Sequence, residues 1–264
     1  MNDIVFNPVG MVEADAKYRF ETPRQSVFAG NTGIIRMNPQ CNFETALRDL
    51  DGFSHIWVIF CFHLNQSSGW KPAVNPPIAP SSRKIGVFAT RSPHRPNSIG
   101  ISCVELTAID GLELHIRNFD MLDGTPVLDI KPYIIHADCF PEASTGWLPP
   151  LPEPYQVNFT KTVLLKIEWL REQSGLDLQS FALIQLGTDP LNRNRKRLNM
   201  ISEQRYIICC RTWKLSFSIN PETRHIEVDD LHSGYNAEEL IPNAPDKYHD
   251  KTLHRRFLKI FGAL

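Results

Sequence analysis

The stretch Ile101-Ser-Cys-Val-Glu-Leu-Thr-Ala-Ile-Asp-Gly-Leu-Glu-Leu-His-Ile-Arg117 decides the fold class. Residues 101–109 are apolar and β-branched enough to form a strand, and Asp110-Gly111 is a strong hairpin signal. Leu112, Leu114 and Ile116 then alternate with Glu113, His115 and Arg117, the period of a half-buried strand. A second Asp-Gly, Asp123-Gly124, leads into another strand-like run, residues 125–131. Toward the N-terminus, residues 54–62 are almost continuously apolar, which predicts a strand covered on both faces. Residues 32–37 read as a short strand, and residues 3–12 as a first strand broken by Pro8 and Gly10. Phe43, Ala46, Leu47 and Leu50 recur at helical spacing, with Asn42 placed to cap and Gly52 to stop the helix. Pro72, Pro76, Pro77 and Pro80 make residues 65–83 a long loop. Many strands, close turns and one helix predict a mainly antiparallel barrel or sandwich rather than a doubly wound sheet.

The strand at 101 is preceded by Arg91-Ser-Pro-His-Arg-Pro-Asn-Ser-Ile-Gly100. Proline fixes φ and has no N–H, so Pro93 and Pro96 exclude helix interior and central strand. A stiff loop carrying Arg91 and Arg95 suits the forked grip of a carboxylate or phosphate. The plain alternative is an arginine-rich surface turn that its prolines merely stiffen.

The chain has 264 residues, room for two domains, with 42% hydrophobic and 22% charged residues, an ordinary globular composition. A net charge of −1 removes whole-chain attraction to nucleic acid, so any such binding needs a local patch. The opening Met-Asn-Asp-Ile-Val-Phe shows no basic segment before a long apolar run, so no signal peptide is expected. Cys41, Cys61, Cys103, Cys139, Cys209 and Cys210 contain no C-x-x-C, which predicts reduced thiols, a cytoplasmic setting and no metal site. Neither G-x-G-x-x-G, a P-loop, H-E-x-x-H nor G-x-S-x-G occurs, so dinucleotide, P-loop ATPase, zinc-peptidase and serine-hydrolase chemistries lose ground.

Pro141, Pro149, Pro150, Pro152 and Pro154 mark a stiff connection, and the pattern changes beyond it. Val163, Leu164, Ile167 and Leu170 form a helical stripe, and residues 178–186, ending at Gly187, form a second. Residues 204–211, then Trp213, Leu215, Phe217 and Ile219, and then Ile226 and Val228 read as strands. Residues 246–264 read as an amphipathic helix. The expected organisation is a β domain over residues 1–145 and a smaller α+β domain over 156–264.

Four polar clusters leave or follow apolar strands in the first half and could meet at one end of a barrel. They are Pro23-Arg24-Gln25, Phe62-His63-Leu64-Asn65, the arginine loop, and Leu122-Asp123-Gly124-Thr125 running to Tyr133. His63 is equally an ordinary strand-end histidine, Asp123-Gly124 is first a turn, and Asp129 and Lys131 share a face and could simply pair with each other.

Gly52-Phe-Ser-His-Ile-Trp-Val58, Phe62-His63, Arg91-Ser-Pro-His-Arg-Pro-Asn97 with Ile99-Gly100, and Asp123-Gly-Thr-Pro-Val-Leu-Asp-Ile-Lys-Pro-Tyr133 together resemble the TrmO (TsaA-like, YaeB) family. The match runs in order through residues 1 to about 140. The resemblance implies a non-Rossmann β-barrel, usually homodimeric. It implies an S-adenosylmethionine-dependent methyltransferase acting on N6-threonylcarbamoyladenosine beside the anticodon of transfer RNA. By position it assigns cofactor contact to Pro23, Arg24, Gln25, His63, Leu64, Arg91, Ile101, Met121, Leu122, Asp123 and Gly124. Asp129, Lys131 and Tyr133 are the candidates for polarising or deprotonating the acceptor nitrogen, and His94, Arg95 and Lys131 for meeting its carboxylate. Ser98 departs from the family's proline, and Ile135-His136 from its Pro-Tyr.

The second half matches less. Asp189-Pro190 resembles the start of a family Asp-Pro-Arg-Pro motif, but Leu191-Asn192 replace Arg-Pro. The run from Leu191 to Lys214 is nevertheless basic: Arg193, Arg195, Lys196, Arg197, Arg205, Arg211 and Lys214 stand against Glu203 alone. Arg193, Arg195, Lys196 and Arg197 are therefore expected to touch RNA phosphates. Two other functions stay open, a barrel methyltransferase with another acceptor and a non-catalytic module that holds a nucleotide or RNA.

Overall fold

The computed structural model describes residues 4–18, 21–22, 30–39, 41–76, 83–148, 150, 153–187, 189–191, 197–242 and 244–262. The chain divides into two compact units, Met1–Leu151 and Pro152–Leu264.

The first unit contains β1 (Gly10–Glu13), β2 (Thr32–Met37), α1 (Phe43–Ala46), β3 (His55–Cys61), β4 (Ala73–Val74), β5 (Ile85–Gly86), β6 (Ile99–Asp110), β7 (Glu113–Arg117), β8 (Pro126–Pro132) and α2 (Ile135–Asp138). Six strands close into an antiparallel barrel in the order β1-β2-β7-β6-β3-β8, with β4 and β5 forming a separate two-stranded ribbon. This is the barrel of the two architectures that the strand pattern allowed. Alternation builds it: Val12, Ile35, Ile56, Val58, Val104 and Leu114 point inward and are buried, while their neighbours face outward. Closure leaves no unpaired edge, and register shifts between Ile59 and Phe60 and between Leu106 and Ala108 supply bulges that bend the strands.

Gly100 sits opposite Phe60, whose ring atoms lie 2.4–2.9 Å from where a Cβ would stand. The glycine that closes the arginine loop is therefore needed for packing. Gly111 at φ 57° makes the β6–β7 hairpin turn, as Asp110-Gly111 predicts.

Four expectations change. The helix over 43–50 is instead a single turn, α1, followed by a 3-10 turn at Leu50–Gly52, because Asp49 (φ 64°) is left-handed and interrupts the run. Asn42 does not cap through its side chain; its Oδ1 accepts from Thr45 Oγ1 instead (2.9 Å). β3 is fully buried on its inward face only, so its apolar outer face is half-exposed. The first strand starts at Gly10, and Ile4, Val5 and Phe6 before it are exposed. The loop at 65–83 also holds β4 and the end of a 3-10 turn, His63–Ser68.

The second unit is α+β: β9 (Gln156–Phe159), α3 (Lys161–Ser174), α4 (Leu178–Leu186), β10 (Leu198–Ser202), β11 (Arg205–Cys210), β12 (Trp213–Asn220), β13 (His225–Ser233) and α5 (Lys251–Phe261). Its sheet runs β10-β11-β12-β13-β9, with β9 parallel to β13. Val163, Ile167 and Leu170 of α3 share a core with Trp213, Leu215 and Phe217 of β12. Thr160 caps α3 by accepting from Val163 N (3.3 Å), and Asp177 caps α4 by accepting from Ser180 N (2.9 Å). The strands β9 and β10 were not read from the sequence; they are short and lie at the two edges of the sheet, and β10 buries only its first residue.

Candidate functional site

The pairing register brings several loops to one end of the barrel. Cys61, ending β3, faces Ile99, which starts β6; Phe60 and Gly10 both face Val127 of β8, and Thr32 faces Arg117, the last residue of β7. His63 and Leu64, the arginine loop, Ile101 and the turn at Met121 to Gly124 therefore share that end.

The arginine loop is held by its own polar groups. Thr90 Oγ1 donates to Val87 O (2.8 Å) and accepts from Ser92 N (3.2 Å), and Phe62 N donates to Ser98 O (2.8 Å). Trp147 Nε1 donates to Ala89 O (2.8 Å), tying the later proline-rich segment to it. Arg95 is part of this scaffold: its Nη1 donates to Thr90 O (2.7 Å) and Val87 O (3.3 Å), and its guanidinium lies 5.8 Å from the Phe88 ring centre. Arg95 therefore commits one nitrogen of its fork, Nη1, to the scaffold. Arg91 is exposed and has no hydrogen bond or ion pair among the described residues.

Arg91 has two electrostatic neighbours that the sequence did not single out. Burial pushes the Asp120 carboxyl above its ordinary range, opposed by the Ser102 hydroxyl, its own main chain and the Arg91 charge. Ser102 Oγ, itself buried, donates a short hydrogen bond to Asp120 Oδ1. Burial also raises the Cys103 thiol, Asp138 adds to this, and Arg91 opposes it.

Around this cation, Leu64 and Ile101 are large apolar side chains left 44% and 48% exposed. Asp123 Oδ1 accepts from Ala14 N (3.1 Å), while its N–H donates to Ala16 O (2.8 Å), fixing the turn in which Gly124 has φ 70°. Met121 is only 1% exposed and belongs to the barrel core, so it has only its main chain to offer a ligand. Pro23, Arg24 and Gln25 lie outside the described residues.

Asp129, Lys131 and Tyr133 run along β8 away from this end. Lys131 Nζ and Asp129 Oδ2 form an ion pair (2.8 Å), and both are well exposed, so the pairing alternative is what the structure holds. Tyr133 packs against Trp57 (ring centres 5.7 Å), whose Nε1 donates to Asp138 Oδ2 (3.0 Å). The Tyr133 phenol is pushed up by burial and by Cys139, so it stays protonated near neutral pH and is a hydrogen-bond donor rather than a base. Trp57 and Asp138 were missed because an apolar strand and a short polar turn carry no chemical signature by themselves.

In the second unit Arg197 lies beside β10, and its Nη1 donates to Arg211 O (3.3 Å). Arg193, Arg195 and Lys196 lie outside the described residues. Among the described residues no group of His, Cys, Asp and Glu could hold a metal ion, and no helix is long and apolar enough to cross a membrane.

An all-antiparallel barrel with a stiff basic loop at one end, and no glycine-rich βαβ unit, defines a barrel protein outside the doubly wound class. Residues 11–139 match the tRNA-methyltransferase O N-terminal domain. A tRNA (adenine(37)-N6)-methyltransferase of Escherichia coli (strain K12) is 36% identical over 202 residues, 74% of this chain and 86% of that protein. One of Eikenella corrodens is 44% identical over 131 residues, 48% of this chain and 68% of the relative. One of Mus musculus is 41% identical over 139 residues, 52% of this chain and 32% of that relative. A crystal structure of TrmO superposes with a TM-score of 0.65 at 28% identity, covering 87% of this chain and 99% of that one. The chain belongs to the tRNA-methyltransferase O family.

Proposed function

We propose that this protein is an S-adenosylmethionine-dependent methyltransferase that methylates N6 of adenosine 37 in transfer RNA, with threonylcarbamoyladenosine as the acceptor. The family membership and the names of the relatives support the reaction. The observation that carries the site is the meeting of the motif loops at one barrel end around the exposed Arg91.

The groups at that end fit the proposed cofactor. Arg91 provides a fork for a carboxylate, Leu64 and Ile101 provide apolar cover for an adenine, and the Asp123 carboxylate keeps acceptor capacity for ribose hydroxyls. The main chain at Met121 to Gly124, His63 and the segment Pro23, Arg24 and Gln25 complete the proposed contact set. When bound, S-adenosylmethionine supplies an electrophilic methyl group on a sulfonium, which leaves as a neutral thioether. The acceptor nitrogen is urea-like and weakly nucleophilic, so alignment and polarisation are the protein's share. Tyr133, a protonated phenol, and the Lys131–Asp129 pair lie further along β8 and are the proposed acceptor-side groups, reached from Arg91 by way of Cys103, which neighbours both Arg91 and Tyr133.

A homodimer in the cytoplasm is part of the same proposal. Phe88, Ile135 and Phe140 leave apolar surface exposed on the barrel unit, which a second copy could cover. The test is incubation with S-adenosylmethionine and transfer RNA followed by mass analysis of nucleosides. Methylation confined to adenosine 37 is expected; cofactor binding without any methyl transfer would favour a binding module.

A further inference from the structure

Three rows of outward-facing side chains cross β6, β3 and β8, and Trp57 stands in the middle one. Trp57 pairs with Cys103 of β6 on one side and Lys131 of β8 on the other, and directly paired residues share a face. The row nearer the arginine loop is Ile101, Ile59 and Asp129. In the row beyond, His55 pairs with Glu105, and its main-chain oxygen accepts from Tyr133 N (3.0 Å). The indole therefore stands between Ile101 and Cys103, on the proposed cofactor side, and Asp129, Lys131 and Tyr133, on the proposed acceptor side.

Trp57 is pinned at its polar edge. Its Nε1 donates to Asp138 Oδ2 (3.0 Å), and the same oxygen accepts from Ile134 N (2.9 Å). The short α2 holds Asp138 at that spot: Asp138 N donates to Ile134 O (2.8 Å) and Cys139 N to Ile135 O (3.1 Å). The Ile134 N–H, and then the Trp57 N–H, keep the Asp138 carboxyl below its ordinary range against desolvation, so the bond to the indole is charge-assisted. One carboxylate oxygen thus ties β3 to the chain that leaves β8.

Tyr133 is the group this tie braces. Its ring centre lies 5.7 Å from that of Trp57, tilted by 52°, and 6.3 Å from that of His55, tilted by 60°. Both separations are those of interacting aromatic pairs. The single N–H of the indole is already committed to Asp138, so Trp57 has no donor left for an acceptor.

We propose that Trp57 and Asp138 are positioning residues for methyl transfer, holding the Tyr133 phenol where it meets the acceptor nucleoside. The proposal rests on Tyr133 serving the acceptor, as in the function proposed above. A hydroxyl on an unbraced ring has to be ordered in each turnover, whereas a braced one is ordered by folding.

The test measures kcat and KM for methyl transfer to transfer RNA by the full chain. Trp57→Phe keeps a ring beside Tyr133 but removes the N–H, and Asp138→Ala removes its acceptor. Each should lower kcat about ten- to a hundredfold, with KM for the RNA and cofactor affinity unchanged. Asp138→Asn keeps an oxygen for the indole and should recover most of the rate. In a Tyr133→Phe background, Trp57→Phe should cost nothing further, because the indole acts through the phenol. Trp57→Phe carries the test if Asp138→Ala fails to fold. Wild-type kcat in both single variants, with only the urea midpoint lowered, overturns the proposal in favour of a role in stability. A full additional loss from Trp57→Phe in the Tyr133→Phe background overturns it as well. A raised KM or weaker cofactor binding at unchanged kcat also overturns it and makes these residues part of a binding surface. Tyr133→Phe at the wild-type rate instead removes Tyr133 from the acceptor, and the proposal falls with that reading.

Discussion

Arg91 and Arg95 lie four residues apart in one loop, and their surroundings divide the work between them. Arg95 turns its Nη1 onto Thr90 O and Val87 O, whereas Arg91 is exposed near Asp120 and Cys103. A charge-assisted fork contributes about 1.5–3 kcal/mol, so Arg91→Ala should weaken S-adenosylmethionine binding about ten- to a hundredfold in calorimetry. Arg91→Lys should recover only part of this, because an ammonium lacks the planar fork. Wild-type affinity in both variants would remove the loop from the cofactor site. Spacing and residue type exposed this loop in the sequence, but both arginines looked alike there. Which one turns back onto carbonyls depends on the turn geometry, which no residue pattern states. Asp120 was hidden for a similar reason: Phe119-Asp120-Met121 reads as a polar interruption, and only folding buries it against Ser102. Its carboxyl is pushed above the ordinary value of 3.8, so the native state keeps its proton to higher pH than the unfolded chain. This group's stabilisation is therefore full below that value and is lost as pH rises through the raised one. Asp120→Asn keeps the acceptor for Ser102, so its urea midpoint should exceed wild type near neutral pH and converge with it in acid. A constant difference across pH would show that Asp120 does not titrate in this way.

Strands were more legible than helices in the first unit, for a physical reason. Side-chain alternation is enforced wherever one face is buried, so β2, β6 and β7 follow directly from the pattern. The helix over 43–50 had the right spacing, but the left-handed residue Asp49 cut it to a turn. In the second unit the apolar stripes of α3 and β12 were legible, while the network that locks them was not. His254 belongs to α5, and its partners Ser233 and Thr212 lie 21 and 42 residues away. His254→Ala should take one partner each from the buried Ser233 hydroxyl and the half-buried Thr212 hydroxyl and remove the Trp213 stack, a loss of about 2–4 kcal/mol in urea unfolding of this unit. A change under about 0.5 kcal/mol, the range of ordinary surface substitutions, would show that the network is incidental.

The two units differ in how much they share with relatives. The mouse relative matches over 139 residues, about the span of the barrel, and the family domain covers residues 11–139. The E. coli relative extends the match to 202 residues. The barrel's motifs were recognisable because their residue types and order along the chain, from Gly52 to Tyr133, are distinctive together. The order in which six strands close was not, since any antiparallel arrangement of the same alternating strands buries the same faces. The second unit offered only its basic run, and the departures at Leu191-Asn192 removed the motif that would have placed it.

The choice of acceptor is the point on which the proposed function depends most. The threonylcarbamoyl group adds a carboxylate and a hydroxyl to adenosine, and a site built for them leaves donors unpaired when they are missing. Each unsatisfied buried donor costs about 1–3 kcal/mol, so discrimination should be large. The decisive measurement is methyl transfer from labelled S-adenosylmethionine to transfer RNA carrying threonylcarbamoyladenosine 37 and to the same RNA lacking that group. The proposed function predicts a methyl group on N6 of the modified nucleoside and little or none on the unmodified transcript. Comparable rates on both, or transfer to neither, would contradict it.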